Sequence, residues 1–340
     1  MNEKQFKALK SLLSQPKNIV IIGHKNPDGD AIGATLGLSL FLKNRGHHTQ
    51  VICPNDFPNF LKWMPDCDSI ITYDSQKEQS IEKIEEAHII FTLDFNSLSR
   101  IGLLKDPLEK VTAPFVMIDH HQEPDDYATF IYSDTGMSST CQMVYHFIEL
   151  FDGISEITPK IATNLYTGIM TDTGSFRFPS TTAITHRVIA DLIDKGAENT
   201  TIHQNIYDTN NPNRIKLLGI ALKNLTVLPE YHTAYITLSK EELQENNFKK
   251  GDTEGFVNYG LSLTGIKFAA IFIESIKENI VKISFRSKGD FSVNDFSKNH
   301  FYGGGHLNAA GGRSDKPLKQ TVSNFISILS HYKKDLDNAL

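Results

Sequence analysis

The stretch His24-Lys25-Asn26-Pro27-Asp28-Gly29-Asp30-Ala31-Ile32-Gly33 places tight limits on what this chain can fold into. The apolar run Ile19-Val20-Ile21-Ile22-Gly23 before it reads as a buried strand, and the spacing of apolar residues from Ala31 to Leu42 predicts a helix. One histidine and two aspartates therefore sit on the loop between a strand's carboxyl end and a helix, where open α/β sheets bind ligands. Asn26-Pro27 and Gly29 impose an irregular backbone that can turn His24, Asp28 and Asp30 toward one centre. A plainer reading stays open on this stretch alone: Asp30 caps the helix, Asp28 belongs to a turn, and His24 is a bystander.

Two more segments repeat the pattern. His88-Ile89-Ile90-Phe91-Thr92-Leu93 is a buried-strand pattern that ends in Asp94, with Arg100 six residues later. Phe115-Val116-Met117-Ile118 runs straight into Asp119-His120-His121, three polar residues that packing does not explain. Strands alternating with helices imply a mostly parallel sheet, whose carboxyl ends share one edge. His24, Asp28, Asp30, Asp94 and His120 are thus expected to converge, with Asp119 orienting an imidazole from behind.

Helices are predicted over Ser138–Phe151 and from Pro159 to about Thr173, with Pro159 at the start of the second. Asp172 closes that helix, where the dipole disfavours a carboxylate and a nearby cation would relieve it. It is a candidate ligand, against the alternative of a solvated turn residue. Further helices are expected over Thr181–Gly196 and Thr201–Asp208, and the connection between domains near 190–225. His47-His48 reads as a solvated pair.

The pattern then changes to strands at Thr233–Leu238, Gly265–Glu274 and Ile280–Arg286, as in a smaller mixed α/β domain. Tyr302-Gly303-Gly304-Gly305-His306 precedes Ala309-Ala310-Gly311-Gly312. The run reads as a phosphate cradle leading into a helix start, with His306 and upstream Arg286 as donors. A last helix is expected from Leu318 to about Leu336. The fold class is therefore α/β: an N-terminal mostly parallel sheet flanked by helices and a smaller C-terminal mixed α/β domain, with the active site in the cleft between them.

Charge and cysteines narrow the chemistry. A net charge of -6 argues against a binder of long duplex DNA, but not against a small anionic substrate whose charge bound metal neutralises. Cys53, Cys67 and Cys141 show no CxxC spacing, which fits a reducing cytoplasm. The first 14 residues lack a signal-peptide core, and no run is apolar enough for a membrane span.

His24-x-Asn26-Pro27-Asp28-Gly29-Asp30, Asp94, Asp119-His120-His121 and Asp172, in that order, resemble the motifs of the DHH phosphoesterase superfamily. Gly303 to His306 with Ala309-Ala310-Gly311 resembles its DHH-associated C-terminal domain. The resemblance spans nearly the whole chain and is nearest the stand-alone nano-RNase and pAp-phosphatase branch (NrnA-like). It implies a DHH domain over 1–190, a helical linker over 191–225 and a DHH-associated substrate-binding domain over 226–340.

The resemblance also implies a hydrolase with two divalent ions, expected to be Mn2+. It acts on short RNA oligonucleotides and on 3'-phosphoadenosine 5'-phosphate (pAp), with pApA and cyclic di-AMP as further substrates. By the same resemblance His24 and Asp28 hold one ion, Asp30, His120 and Asp172 the other, and Asp94 bridges. His121 stands at the scissile phosphate with Asp119. Arg286, Gly304, Gly305 and His306 take a terminal phosphate or base, with Arg100 as a further candidate. A homodimer is left open. The rival readings are a RecJ-like single-strand exonuclease, a manganese inorganic pyrophosphatase and a non-catalytic nucleotide-binding protein.

Overall fold

A computed structural model describes residue 1 and residues 3–339. The chain divides into two units, Met1–Thr209 and Asn210–Leu340. The break falls inside the 191–225 stretch. Helices Ala183–Asp194 and Asn199–Tyr207 belong to the first unit, and Pro212–Lys223 to the second.

The first unit is built on six strands: β1 (Asn18–Ile22), β2 (His48–Cys53), β3 (Ile71–Thr72), β4 (Ile89–Leu93), β5 (Phe115–Asp119) and β6 (Phe130–Ser133). All pair in parallel, in the order β3-β2-β1-β4-β5-β6. The order reverses between β1 and β4, so the crevice for a ligand opens above those two strands. β1 is in register with β4 from Ile19↔Ile89 to Ile22↔Thr92, which sets the loops carrying His24 and Asp94 side by side.

Alternate residues of β1 and β4 enter opposite cores, Ile19, Ile21 and Phe91 on one face and Val20, Ile22 and Ile90 on the other. Burial on both faces is why these strands read as unbroken apolar runs. The Gly29–Asn44 helix packs closely on the Pro159–Asp172 helix. A Cβ on Gly33 would lie 2.5 Å from the Asn164 carbonyl, so glycine sets the approach.

The second unit carries β7 (Thr226–Leu228), β8 (Thr233–Leu238), β9 (Phe268–Glu274), β10 (Val281–Ser287), β11 (Gly304–His306) and β12 (Ala309–Ser314), ordered β11-β12-β10-β9-β8-β7. Only β8 and β9 pair in parallel. Phe268, Phe272, Phe285, Phe296, Phe301 and Phe325 fill the core under the Val293–His300 and Leu318–Leu329 helices. On the opposite face Ile236, Ala269 and Ile271 pack against Leu217, Ala221 and Val257.

Three expectations are corrected. Ala309–Gly312 does not start a helix: it is the first part of β12, paired with β11 and β10. The glycines there serve close backbone packing, since a Cβ on Gly303 would strike the Gly311 carbonyl and Ser297 Oγ. The last helix stops at Leu329, and a tight turn at Ser330–Tyr332 leads into a separate Lys333–Asn338 helix. His47 is buried and only His48, which opens β2, is exposed. Burial first, then the Arg45 charge, lower the His47 pKa. Among the described residues no helix is long and apolar enough to cross a membrane.

Candidate active site

The loop after β1 is shaped by its polar side chains. Asn26 takes a left-handed backbone (φ 58°), held by Asn55 in the loop after β2, whose Oδ1 accepts the Asn26 N–H at 2.7 Å. The carbonyl of Lys25 lies 2.9 Å from His24 Nδ1. A carbonyl only accepts, so Nδ1 carries the proton and Nε2 is left for the site. That Nε2 is 3.3 Å from Asp94 Oδ2 and 3.8 Å from Asp28 Oδ1.

The helix cap is Asp28, not Asp30: Asp28 Oδ1 accepts the N–H groups of Asp30 and Ala31 at 3.0 and 3.1 Å. Asp30 is buried, and its carboxylate receives the Thr140 N–H at 2.6 Å and the Cys141 N–H at 2.9 Å. Those donors form the N-terminus of the Thr140–Leu150 helix, whose positive end favours a carboxylate. Thr140 serves twice, since its hydroxyl donates to Asp94 Oδ1 at 3.0 Å. Neither Thr140 nor Cys141 was expected at the site. The signal was the run Ser138-Ser139-Thr140, a helix-capping composition in which Ser139 does cap.

Asp94 follows β4 in a left-handed backbone (φ 65°), uncommon for a residue other than glycine and best tolerated by Asp and Asn. Its two oxygens face different partners. Oδ2 faces His24, and Oδ1 lies 3.6 Å from His120 Nε2. His120 Nε2 is also 3.8 Å from Asp30 Oδ2 and 3.4 Å from Asp172 Oδ2. Asp172 ends the Pro159–Asp172 helix. Two ligand groups result, His24–Asp28–Asp94 and Asp30–His120–Asp172, each with donor atoms within 4.8 Å of one another, and Asp94 reaches both.

His121 stands beside these groups, its Nδ1 3.7 Å from Asp94 Oδ1, and is held by the buried Asp119. Its Nδ1 is 2.7 Å from Asp119 Oδ1, and its backbone N–H donates to Asp119 Oδ2 at 2.9 Å. Arg100 lies in the turn Leu98–Leu104 after β4, anchored where its carbonyl accepts the Lys25 N–H at 2.9 Å. Burial first, then the positive charge of Arg100, hold the His121 pKa well below the usual imidazole range.

The electrostatics ask for a cation. Burial first, then the Asp30 charge, push Asp94 up to about 7, and burial raises Asp30 as well. Burial would lower His24, but its hydrogen bond to Asp94 and the charges of Asp28 and Asp94 raise it to about 9. Carboxylates crowded out of water and matched only by imidazoles fit a divalent ion. Oxygen and imidazole donors without thiolate fit a hard or borderline one. Cys141 does not change that set: burial and the Asp30 charge raise its thiol well above the usual range, and its Sγ donates to the Asp30 carbonyl.

Glycine is required at 168. A Cβ there would strike Cys141 Sγ and lie 3.0 Å from Asp30 Oδ1. Gly168→Ala is expected to destabilise the protein by about 1–3 kcal/mol through overpacking and to weaken metal retention by displacing Asp30. Thermal melting with metal titration checks this. A variant with unchanged Tm and metal affinity would contradict it.

Arg286, Gly304, Gly305 and His306 belong to the second unit. Arg286 and His306 both pair opposite Ala309, so the three side chains share one face in a row across β10, β12 and β11. Two strand spacings separate the outer pair by about 10 Å, with only a methyl group between them. Residues of this face on β10, β12 and β11 (Ser284, Arg286, Ala309, Gly311, Gly304, His306) stay outside the cores that hold Phe285 and Ala310. Gly305 donates its N–H to Asn294 Oδ1 at 2.9 Å, so that amide serves the hairpin.

Residues 18–169 match the model of the DHH family, N-terminal domain, and residues 230–335 that of the DHHA1 domain. The bifunctional oligoribonuclease and PAP phosphatase NrnA of Thermus thermophilus is 31% identical over 86% of this chain and 83% of its own. The chain belongs to the DHH family. The Bacillus subtilis protein of the same name is 27% identical over 86% of this chain and 88% of its own. The crystal structure of an exopolyphosphatase-related protein from Bacteroides fragilis superposes with a TM-score of 0.95 at 37% identity, covering 99% of this chain and 98% of that one. This DHH protein is a metal-dependent phosphoesterase, a hydrolase acting on phosphoester bonds.

Proposed function

We propose that this DHH phosphoesterase hydrolyses short oligoribonucleotides to mononucleotides and pAp to AMP, using two Mn2+ ions, in the cytoplasm. The observation that carries the two-ion reading is Asp94, a buried carboxylate whose two oxygens face two separate ligand groups. His24 and Asp28 would hold one ion, Asp30, His120 and Asp172 the other, and Asp94 both. The substrate reading rests on the similarity to the NrnA proteins over most of the chain. Three buried free cysteines support the reducing compartment.

When bound, two such ions supply a hydroxide nucleophile and neutralise the charge of the phosphoryl group. The protein's own groups do the rest. The Lys25 carbonyl and Asp94 fix the His24 ring, and the Thr140–Leu150 helix N-terminus keeps Asp30 aimed and favours its charged form against burial. His121 is neutral at physiological pH. With its Nδ1–H donated to Asp119, it presents the Nε2 lone pair. That atom would accept the proton given up by the attacking water and return it to the leaving oxygen as the phosphoester bond breaks. Arg286 and His306 flank the Ala309 notch and suit a terminal phosphate, for which a guanidinium fork is well shaped.

The raised His24 and Asp94 pKa values have a measurable consequence. Ligands must be deprotonated, and at pH 7 His24 carries its proton while Asp94 is about half protonated. Mn2+ binding at pH 7 is therefore expected to release protons, and affinity to rise with pH until about 9. Calorimetry in buffers of different ionisation enthalpy reads the number directly. Binding without proton release would contradict this account of the site.

The substrate reading is tested by comparing pAp, a 5'-phosphorylated diadenylate, a long single-stranded RNA and pyrophosphate in parallel with Mn2+. Fast AMP release from the first two alone is expected. Equal turnover of the long RNA would favour an exonuclease on longer strands, and turnover of pyrophosphate alone a pyrophosphatase.

A further inference from the structure

This inference rests on the reading above, in which the second unit's hairpin receives a nucleotide. The hairpin is entered through Phe301, Tyr302 and Gly303. Phe301 is buried in the aromatic core, and its carbonyl accepts the Arg313 N–H at 2.7 Å. Gly303 is wedged against the backbone of β12, with a hypothetical Cβ only 2.7 Å from Gly312 Cα. Between these two anchors Tyr302 is held in a left-handed backbone (φ 47°) with 79% of its surface exposed.

Both features are unfavourable by themselves. A bulky side chain seldom adopts φ > 0, and such residues concentrate at functional sites. Phe176 shares the conformation (φ 64°), but its ring packs edge-on against Tyr166 at 5.9 Å and joins the first unit's core. Among the described residues the Tyr302 ring has no such packing partner. Among the described residues it is the most exposed of the large apolar side chains.

Its neighbourhood has the composition of a nucleotide site. Tyr302 stands two residues before β11, which carries His306 beside Ala309 and Arg286. The Lys298 stem lies over Gly304, whose hypothetical Cβ would be 3.7 Å from Lys298 Cε. An exposed aromatic ring on an anchored backbone, beside cationic side chains, is how base-tolerant nucleotide sites combine stacking with phosphate attraction. We propose that Tyr302 is the stacking platform for a nucleobase of the substrate, set on the hairpin whose His306, with Arg286 of the neighbouring β10, receives its phosphate. Stacking reads a π-face rather than a hydrogen-bond pattern, so adenine is accepted without exclusion of other bases.

Tyr302→Gly is the informative variant, because glycine relieves the left-handed backbone and does not threaten the fold. Steady-state kinetics would compare pAp with its abasic counterpart, 1-deoxyribose 3,5-bisphosphate, on the Mn2+-loaded enzyme. For Tyr302→Gly, KM for pAp is expected to rise ~5- to 100-fold. The ratio of abasic to pAp KM is expected to collapse toward one, and Tyr302→Phe to restore it. A wild-type ratio in Tyr302→Gly, or an equal rise in KM for both substrates, would overturn the stacking role and leave the phosphoesterase reading standing. A wild-type enzyme that hydrolyses neither pAp nor a dinucleotide would overturn the reading itself, and the stacking role with it.

Discussion

Asp94→Asn is expected to lower turnover of every phosphoester substrate by about 10³-fold or more while leaving the fold intact. Metal-ion catalysis supplies several kcal/mol to the transition state, and each ~1.4 kcal/mol is tenfold in rate. Asparagine is the informative replacement because position 94 has φ 65°, which Asn tolerates and Ala does not. The amide oxygen still accepts the Thr140 hydroxyl, now 3.0 Å away. One member of a buried carboxylate cluster loses its charge, so melting without added metal is expected to stay close to wild type. The difference appears when Mn2+ is added. Wild type gains stability by mass action, about 2.7 kcal/mol at a hundredfold excess over Kd, and the variant gains much less. Wild-type turnover in a folded Asp94→Asn protein would sink the assignment of Asp94 to both ions.

Asp119→Asn carries the second large effect, and its signature differs. Asp119 offers one oxygen to the His121 backbone N–H and the other to its Nδ1–H. An asparagine has a single acceptor for those two donors. The imidazole is then driven to the other tautomer, with its proton on Nε2, and the lone pair that accepts a proton at the site is gone. Partners of this kind cost roughly 10- to 100-fold when replaced. The loss is expected in kcat, with the Mn2+ stoichiometry unchanged, and the acidic limb of the pH–rate profile should move. A variant that loses metal in proportion to activity would instead make Asp119 a ligand.

The distribution of the two units' chemistry explains what was legible in the chain. Parallel strands are buried on both faces, so β1, β4 and β5 read as apolar runs, and any polar residue at their ends stands out. His24, Asp28, Asp30, Asp94, His120 and Asp119 were all singled out that way as candidates, and the structure places them in neighbouring groups. Asp172 stood out because a helix C-terminus is a poor place for a carboxylate. What escaped depends on contacts between distant segments. The amides that hold Asp30 come from a helix 110 residues further along, and nothing in local spacing pairs them. The glycine run after Tyr302 was expected to lead into a helix because glycines also line anion cradles. The close approach of Gly303 to β12, which makes it a hairpin, is a tertiary fact. His47-His48 was read as a solvated pair, while His47, just before β2, is buried.

The most direct test of the two-ion phosphoesterase is an add-back experiment on pAp. The protein is stripped of metal by chelation, and AMP release is followed as Mn2+ is returned stepwise with bound metal counted in parallel. The account predicts no turnover in the stripped enzyme and full recovery only as the second equivalent binds. Turnover that survives chelation, or that is complete at one equivalent, would contradict it.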